Sequence, residues 1–170
     1  MKRSFLAVAL GALAIPTMPA QAAKIWIDPH GCRADDCQAI HIDSQIQQED
    51  FKKFEGIVAA EKIKKAVVYL DSMGGNMMAS VRMGLKINSL GFGTYVAENT
   101  RCASGCAMMW LAGKPRYAAP TAKIGFHQPY LQDRHGSIQP FPKGSTIVRD
   151  YYAKTRGDGG DGPPNRSTKP

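Results

Sequence analysis

"TRCASGCAMMWLAG", residues 100–113, sets a serine between two cysteines where a polar turn gives way to an apolar run. Serine and glycine weaken helix interiors and suit helix starts. The stretch therefore predicts a helix beginning near Ser104 and burying Met108, Met109, Trp110 and Leu111. Two roles are open to Ser104: a cap for that helix, or a nucleophile lifted to the mouth of a site by a sharp turn. The residues on either side of the stretch bear on the choice.

The chain has 170 residues, enough for one domain with its own core. Residues 1–22, "MKRSFLAVALGALAIPTMPAQA", read as a secretory signal peptide. Lys2 and Arg3 form the basic start, residues 5–15 the apolar stretch, and Ala20-Gln21-Ala22 fits the small-x-small rule for cleavage before Ala23. The apolar stretch is too short for a stable anchor, and charges or glycines interrupt every later one, so no membrane anchor is expected after cleavage. A periplasmic or secreted bacterial protein is the expectation.

Export governs how Cys32, Cys37, Cys102 and Cys106 are read. In an oxidising compartment an even count predicts disulfides. The spacings suggest two local bridges, although four cysteines permit three pairings. No metal is expected: the spacings fit no common zinc finger, and His30 and His41 follow no ligand pattern. The formal charge of +8 falls by two once Lys2 and Arg3 leave. The basic residues are scattered, and the densest cluster, "EKIKK", lies beside acidic Glu55 as a solvated helix face would. No basic-aromatic motif accompanies it, so no nucleic-acid partner is expected.

"KIWID" and "AIHID" alternate like strands, and residues 47–60 carry Phe51, Phe54, Ile57 and Val58 at helical spacing. "AVVYLD" reads as a buried parallel strand. A helix then starts near Asn76, with Met78, Val81 and Leu85 on one face and Gly91 at its end. "GTYVAEN" and "AKIGFHQP" are further strands; residues 133–144 are expected as a polar surface loop and 146–154 as a short helix. Residues 156–170 have no apolar side chain to bury and are expected to be disordered. The order of elements predicts an α/β domain with parallel strands over residues 24–155.

Gly74-Gly75 follows "VVYLD", Ser104 follows "TYVAE", and His127 ends "AKIGF". Groups at the carboxyl ends of parallel strands converge on one crevice. A hydroxyl, an imidazole and glycine N–H groups meeting there are the parts of an acyl-transfer site. Taken singly, each has a plainer reading: a turn, a cap, a hydrogen-bonded histidine.

"YLDSMGG", "CASGCAMMWLAG" and "AKIGFHQP" resemble segments of the Clp protease proteolytic subunit, over residues 66–129. The likeness is strongest to exported Clp-like proteins with a Cys-x-Ser-x-Cys signature. It implies a crotonase-like ββα spiral, here with an incomplete C-terminal helical region, and a serine peptidase acting on peptides or proteins without a cofactor. It further implies Ser104 as nucleophile, His127 as general base, and the N–H groups of Gly75 and Gly105 as oxyanion hole. A homo-oligomer is implied too, with the Met-rich helix at residues 76–90 as a candidate contact. The family's third residue is an aspartate after the His-Gln-Pro step. Asp150 is the nearest candidate here, since Asp158 and Asp161 lie in the Gly-rich tail. The competing expectation is therefore a non-catalytic exported module for binding or assembly. Lys114 or Lys123 as the base has no motif behind it, and Cys106 as the nucleophile falls inside the apolar helix and would be inert if bridged.

Overall fold

The computed structural model describes residues 22–32 and 36–156. The expected leader and tail lie outside these apart from Ala22 and Arg156. In β1 (Lys24–Asp28) and β2 (Gln38–Asp43) the period of two turns Ile25, Ile40 and Ile42 into the core and leaves Lys24, His41 and Asp43 on the other face. Helix α1 (Asp50–Ala60) leads to β3 (Ala66–Asp71), then α2 (Met77–Ser89) and β4 (Gly93–Val96). Next come β5 (Arg101–Ala103), α3 (Gly105–Ala112), β6 (Arg116–Ala118) and β7 (Lys123–Gly125). A hairpin, β8 (Tyr130–Gln132) with β9 (Ile138–Pro140), precedes α4 (Pro142–Arg156).

Five strands form one sheet in the order β1-β2-β3-β4-β6, with β1–β2 antiparallel and the other pairs parallel. Ile40, Ile42, Val68, Leu70 and Val96 from this sheet share a core with Phe54, Met83, Ile87 and Met109 from the helices. On the opposite face a row of rings crosses the strands. Trp26 stacks on His41 and His41 on Tyr69, each at 4.8 Å, and Tyr69 meets Tyr95 edge-on at 5.1 Å. A second, two-stranded parallel sheet of β5 and β7 attaches to the end of β3 through a bridge between Ser72 and Cys102. The α/β class with parallel neighbours is the one expected.

Several elements differ from expectation. Asn76 caps α2, its Oδ1 accepting from the Ala79 N–H at 2.9 Å, but the buried face carries Ala79, Ser80, Met83, Gly84 and Ile87 beside Val81. Small residues dominate that face because α3 and α4 approach it closely: a Cβ at Gly84 would collide with the Tyr151 ring. Met78 is 48 % exposed, and Leu85 is only partly buried. In α3, Met108 and Met109 are buried, whereas Trp110 and Leu111 stay half-buried. The expected polar loop, residues 133–144, holds the turn of the β8–β9 hairpin, β9 itself and the start of α4, and the expected short helix is the 15-residue α4. Proline in its first turn costs α4 no hydrogen bond.

Tyr151 ties α4 to the rest: it is buried, and its hydroxyl donates to the Met108 carbonyl at 2.6 Å. Burial, with Tyr152 nearby, pushes its phenol above the usual range, so it stays a donor into alkaline solution. Tyr151→Phe removes this hydrogen bond and is expected to lower stability by about 0.5–1.5 kcal/mol in urea unfolding, with the m-value unchanged.

Candidate active site

After Asp71 the chain leaves the five-stranded sheet and pairs with β5: the Ser72 N–H donates to Arg101 at 2.9 Å and the Ala103 N–H to Ser72 at 3.0 Å. This sets residues 72–75 alongside the turn that carries Ser104. Gly74 and Gly75 have φ values of +91° and +144°, which side-chain-bearing residues rarely adopt. A Cβ on Gly74 would lie 2.7 Å from that of Ser104 and 2.9 Å from the Gly105 nitrogen. Gly75 is held from the other side by Ile46, whose N–H donates to Gly74 and whose carbonyl accepts from Asn76, both at 2.8 Å. Such a parallel bridge leaves the N–H of the central residue, Gly75, unused by Ile46. The Gly105 N–H opens α3, where the first N–H groups have no acceptor within the helix. A Cβ on Gly105 would stand 3.9 Å from the Gly75 nitrogen, so the two donors are neighbours.

Ser104 itself has φ 57° and ψ −123°. A non-glycine residue is held in such a conformation only when its surroundings dictate it. Here its N–H donates to Gly125 at 2.9 Å, extending the β5–β7 ladder, and its carbonyl accepts from Met108 at 3.2 Å. Its side chain makes no capping hydrogen bond, so the serine stands at the cap position without acting as the cap. The Cys102–Cys106 disulfide spans it, and both sulfurs belong to buried residues. A bridged Cys106 within α3 is not a free thiol. Cys32 and Cys37 form the other bridge, so both pairs are local.

Ser104, Gly75, Gly105 and His127 line one cleft of about 900 Å³. His127 follows β7 and is exposed, its ring 5.2 Å from that of Tyr130. Its Nδ1 is 2.8 Å from the Gln128 carbonyl. A carbonyl only accepts, so this contact assigns the proton to Nδ1 and leaves the lone pair on Nε2. Among the described residues no hydrogen bond joins the His127 ring to Ser104. Among the described residues no lysine lines the cleft, and Lys114 and Lys123 are exposed elsewhere. Asp150 lies on α4 outside the cleft lining, with its side chain 61 % exposed and 3.5 Å from Arg149.

Sequence reasoning passed over Asp71, Arg101 and Ser72, which also line the cleft. Ser72 Oγ accepts from the Gly74 N–H at 3.0 Å and donates to the Ser44 carbonyl, fixing the glycine turn. The rim is apolar, with Met73, Phe126 and Leu131 all more than half exposed.

No protein-family model and no curated protein matches the chain. Solved structures do, among them the 1510-N membrane-bound stomatin-specific protease in two forms. A serine-to-alanine variant aligns at TM-score 0.50 and 21% identity, over 68% of this chain and 58% of that one. A lysine-to-alanine variant in complex with a substrate peptide aligns at TM-score 0.51 and 22% identity, over 67% and 55%. The chain thus spans a little over half the length of those structures. At this identity the likeness shows the fold: a mixed α/β, Clp-protease-like frame.

Asp43, opposite Asp71 across β2 and β3, is held above the usual carboxylate range by burial and then by the Asp71 charge, with His41 and Lys24 opposing. The folded chain therefore binds this proton more tightly than the unfolded one, and ionisation of Asp43 costs stability above its folded pKa. Asp43→Asn is expected to raise the melting temperature at neutral pH. The gain should vanish as the pH falls through the raised pKa, which melting curves between pH 3 and about pH 7 would follow.

Proposed function

We propose that the chain is an exported serine peptidase with Ser104 as its nucleophile. The observation that carries this reading is the left-handed backbone at Ser104, which presents an uncommitted hydroxyl to the cleft that also holds Gly75, Gly105 and His127. In the reaction Ser104 Oγ attacks the carbonyl carbon of a peptide bond and its proton passes to His127 Nε2. The N–H groups of Gly75 and Gly105 receive the oxyanion. His127 then protonates the leaving amine, and a water molecule it activates hydrolyses the acyl-enzyme. The Gln128 carbonyl keeps the proton on Nδ1 throughout, and substrate binding draws Ser104 and His127 together.

The apolar rim suits peptides with apolar side chains beside the scissile bond. Two disulfides fit an oxidising compartment, in keeping with the leader read at residues 1–22. For self-association, the exposed Leu131 and Ile138 of the β8–β9 hairpin are candidates beside the exposed Met78 of α2. The second reading, a non-catalytic binding or assembly module, is favoured by one observation, the position of Asp150 outside the cleft.

A fluorophosphonate probe separates the two. The exported, processed protein is expected to acquire the adduct at Ser104, located by mass spectrometry, and Ser104→Ala to lose it. Gly75→Ala places a Cβ against Ile46 and is expected to slow labelling about 100-fold. Asp150→Asn is expected to label at the wild-type rate. A folded wild-type protein that stays unlabelled is a binding module.

A further inference from the structure

Asp50, the first residue of α1, is fully buried. Its Oδ2 accepts from the Gln47 N–H at 2.7 Å and from the Ala23 N–H at 3.0 Å. Its Oδ1 is buried with no hydrogen-bond partner, the one such side-chain atom among the described residues. A buried carboxylate with half of its acceptor capacity unused is costly and calls for a charge. Among the described residues no lysine or arginine supplies one: the nearby Lys53 donates instead to the Ala23 carbonyl at 3.0 Å.

The donor already in place is the backbone nitrogen of Ala23, the residue before which the leader reads as ending. Ala23 is 1% exposed, whereas Ala22 is exposed, so the chain passes from solvent into the core across this one peptide bond. Hydrolysis there adds water across the C–N bond: Ala22 leaves with a carboxylate, and the Ala23 nitrogen becomes an α-ammonium with three donors. The nitrogen need not move to keep its bond to Oδ2, and it gains the protons and the positive charge that Oδ1 lacks.

We propose that removal of the leader at the Ala22–Ala23 bond creates an α-ammonium group that pairs with the buried Asp50 carboxylate and locks the loop that holds the Gly74–Gly75 turn through Ile46. The loop is continuous with the site. Asp50 holds the Gln47 N–H, and the adjoining Ile46 holds both Gly74 and Asn76. Chain processing and the geometry of the oxyanion donors are then coupled through five residues of backbone. The pair rests on geometry at Asp50 alone; its coupling to catalysis rests on the reading of Gly75 given above.

The test uses the full chain, exported with its leader and purified. Intact mass is expected to place the new N-terminus at Ala23. An acylating reagent at near-neutral pH is expected to modify that α-amine at least about 10-fold more slowly in the native protein than in urea, as for other amines withdrawn from solvent. Asp50→Asn, which keeps the Oδ2-type acceptor and removes the charge, should abolish the protection and slow fluorophosphonate labelling of Ser104 about 10-fold while the far-UV spectrum stays native. An N-terminus at another residue, or an α-amine as reactive in the folded chain as in the unfolded one, overturns the pair. Wild-type labelling of Ser104 in a deprotected Asp50→Asn overturns the coupling. Protection of Ala23 in a wild-type protein whose Ser104 never labels sustains the pair and removes the peptidase reading.

Discussion

The bridge between Ile46 and Gly75 is the constraint on which the cleft depends. It is a backbone contact, so no side chain can adjust to relieve it, and a Cβ on Gly75 would come within 2.8 Å of the Ile46 nitrogen. The bridge holds the glycine turn from one side while Gly74 presses on Ser104 and Gly105 from the other. Two loops that are distant in sequence are thereby clamped at the ends of the strands. The direction of the Gly75 N–H follows from the pairing, since Ile46 takes up the groups of Gly74 and Asn76 and leaves those of Gly75 aside.

Ser104 stores the cost of that arrangement. A left-handed non-glycine residue is disfavoured by about 1–3 kcal/mol, and it persists only where the neighbours over-determine it. The Gly125 carbonyl, the helix that begins at Gly105, and the Cys102–Cys106 bridge each fix one end of the turn. The bridge joins a strand residue to a helix residue across the serine. Its placement fits a framework that resists relaxation of the turn to a common backbone conformation.

Much of this was legible in the sequence, and the rest was not, for physical reasons. The strand "AVVYLD", the cap at Asn76 and the paired cysteines each carry a local signal: a run of β-formers, a side chain that accepts at a helix start, a short spacing. The face of α2 misleads, because its packing relies on Ala79, Ser80 and Gly84, whose smallness matters only once Tyr151 and Gly105 lie against them. The β8–β9 hairpin gives no burial pattern, since every residue in it is exposed. Asp71, Ser72 and Arg101 reach the cleft through a strand that crosses from one sheet to the other, which no periodicity records. Asp50 was invisible for the same reason: its partners, Ala23 and Gln47, are set by the fold.

His127 shows what the geometry asks of the chemistry. A neutral carbonyl at Nδ1 fixes the tautomer as well as a carboxylate would, but in the proposed reaction it brings no negative charge to stabilise the imidazolium formed when Ser104 loses its proton. On that reading the N–H groups of Gly75 and Gly105 and the positive end of α3 supply a larger share of the stabilisation, from backbone tied by the Ile46 bridge. On the proposed reading, acylation at such a site is expected to be slower than at one with a buried acid, and the firmness of the glycine turn to bear on its rate. The same reading, joined to the proposed Asp50 pair, puts the control of reactivity in the loop of residues 44–49 and in Asp50 rather than at the base.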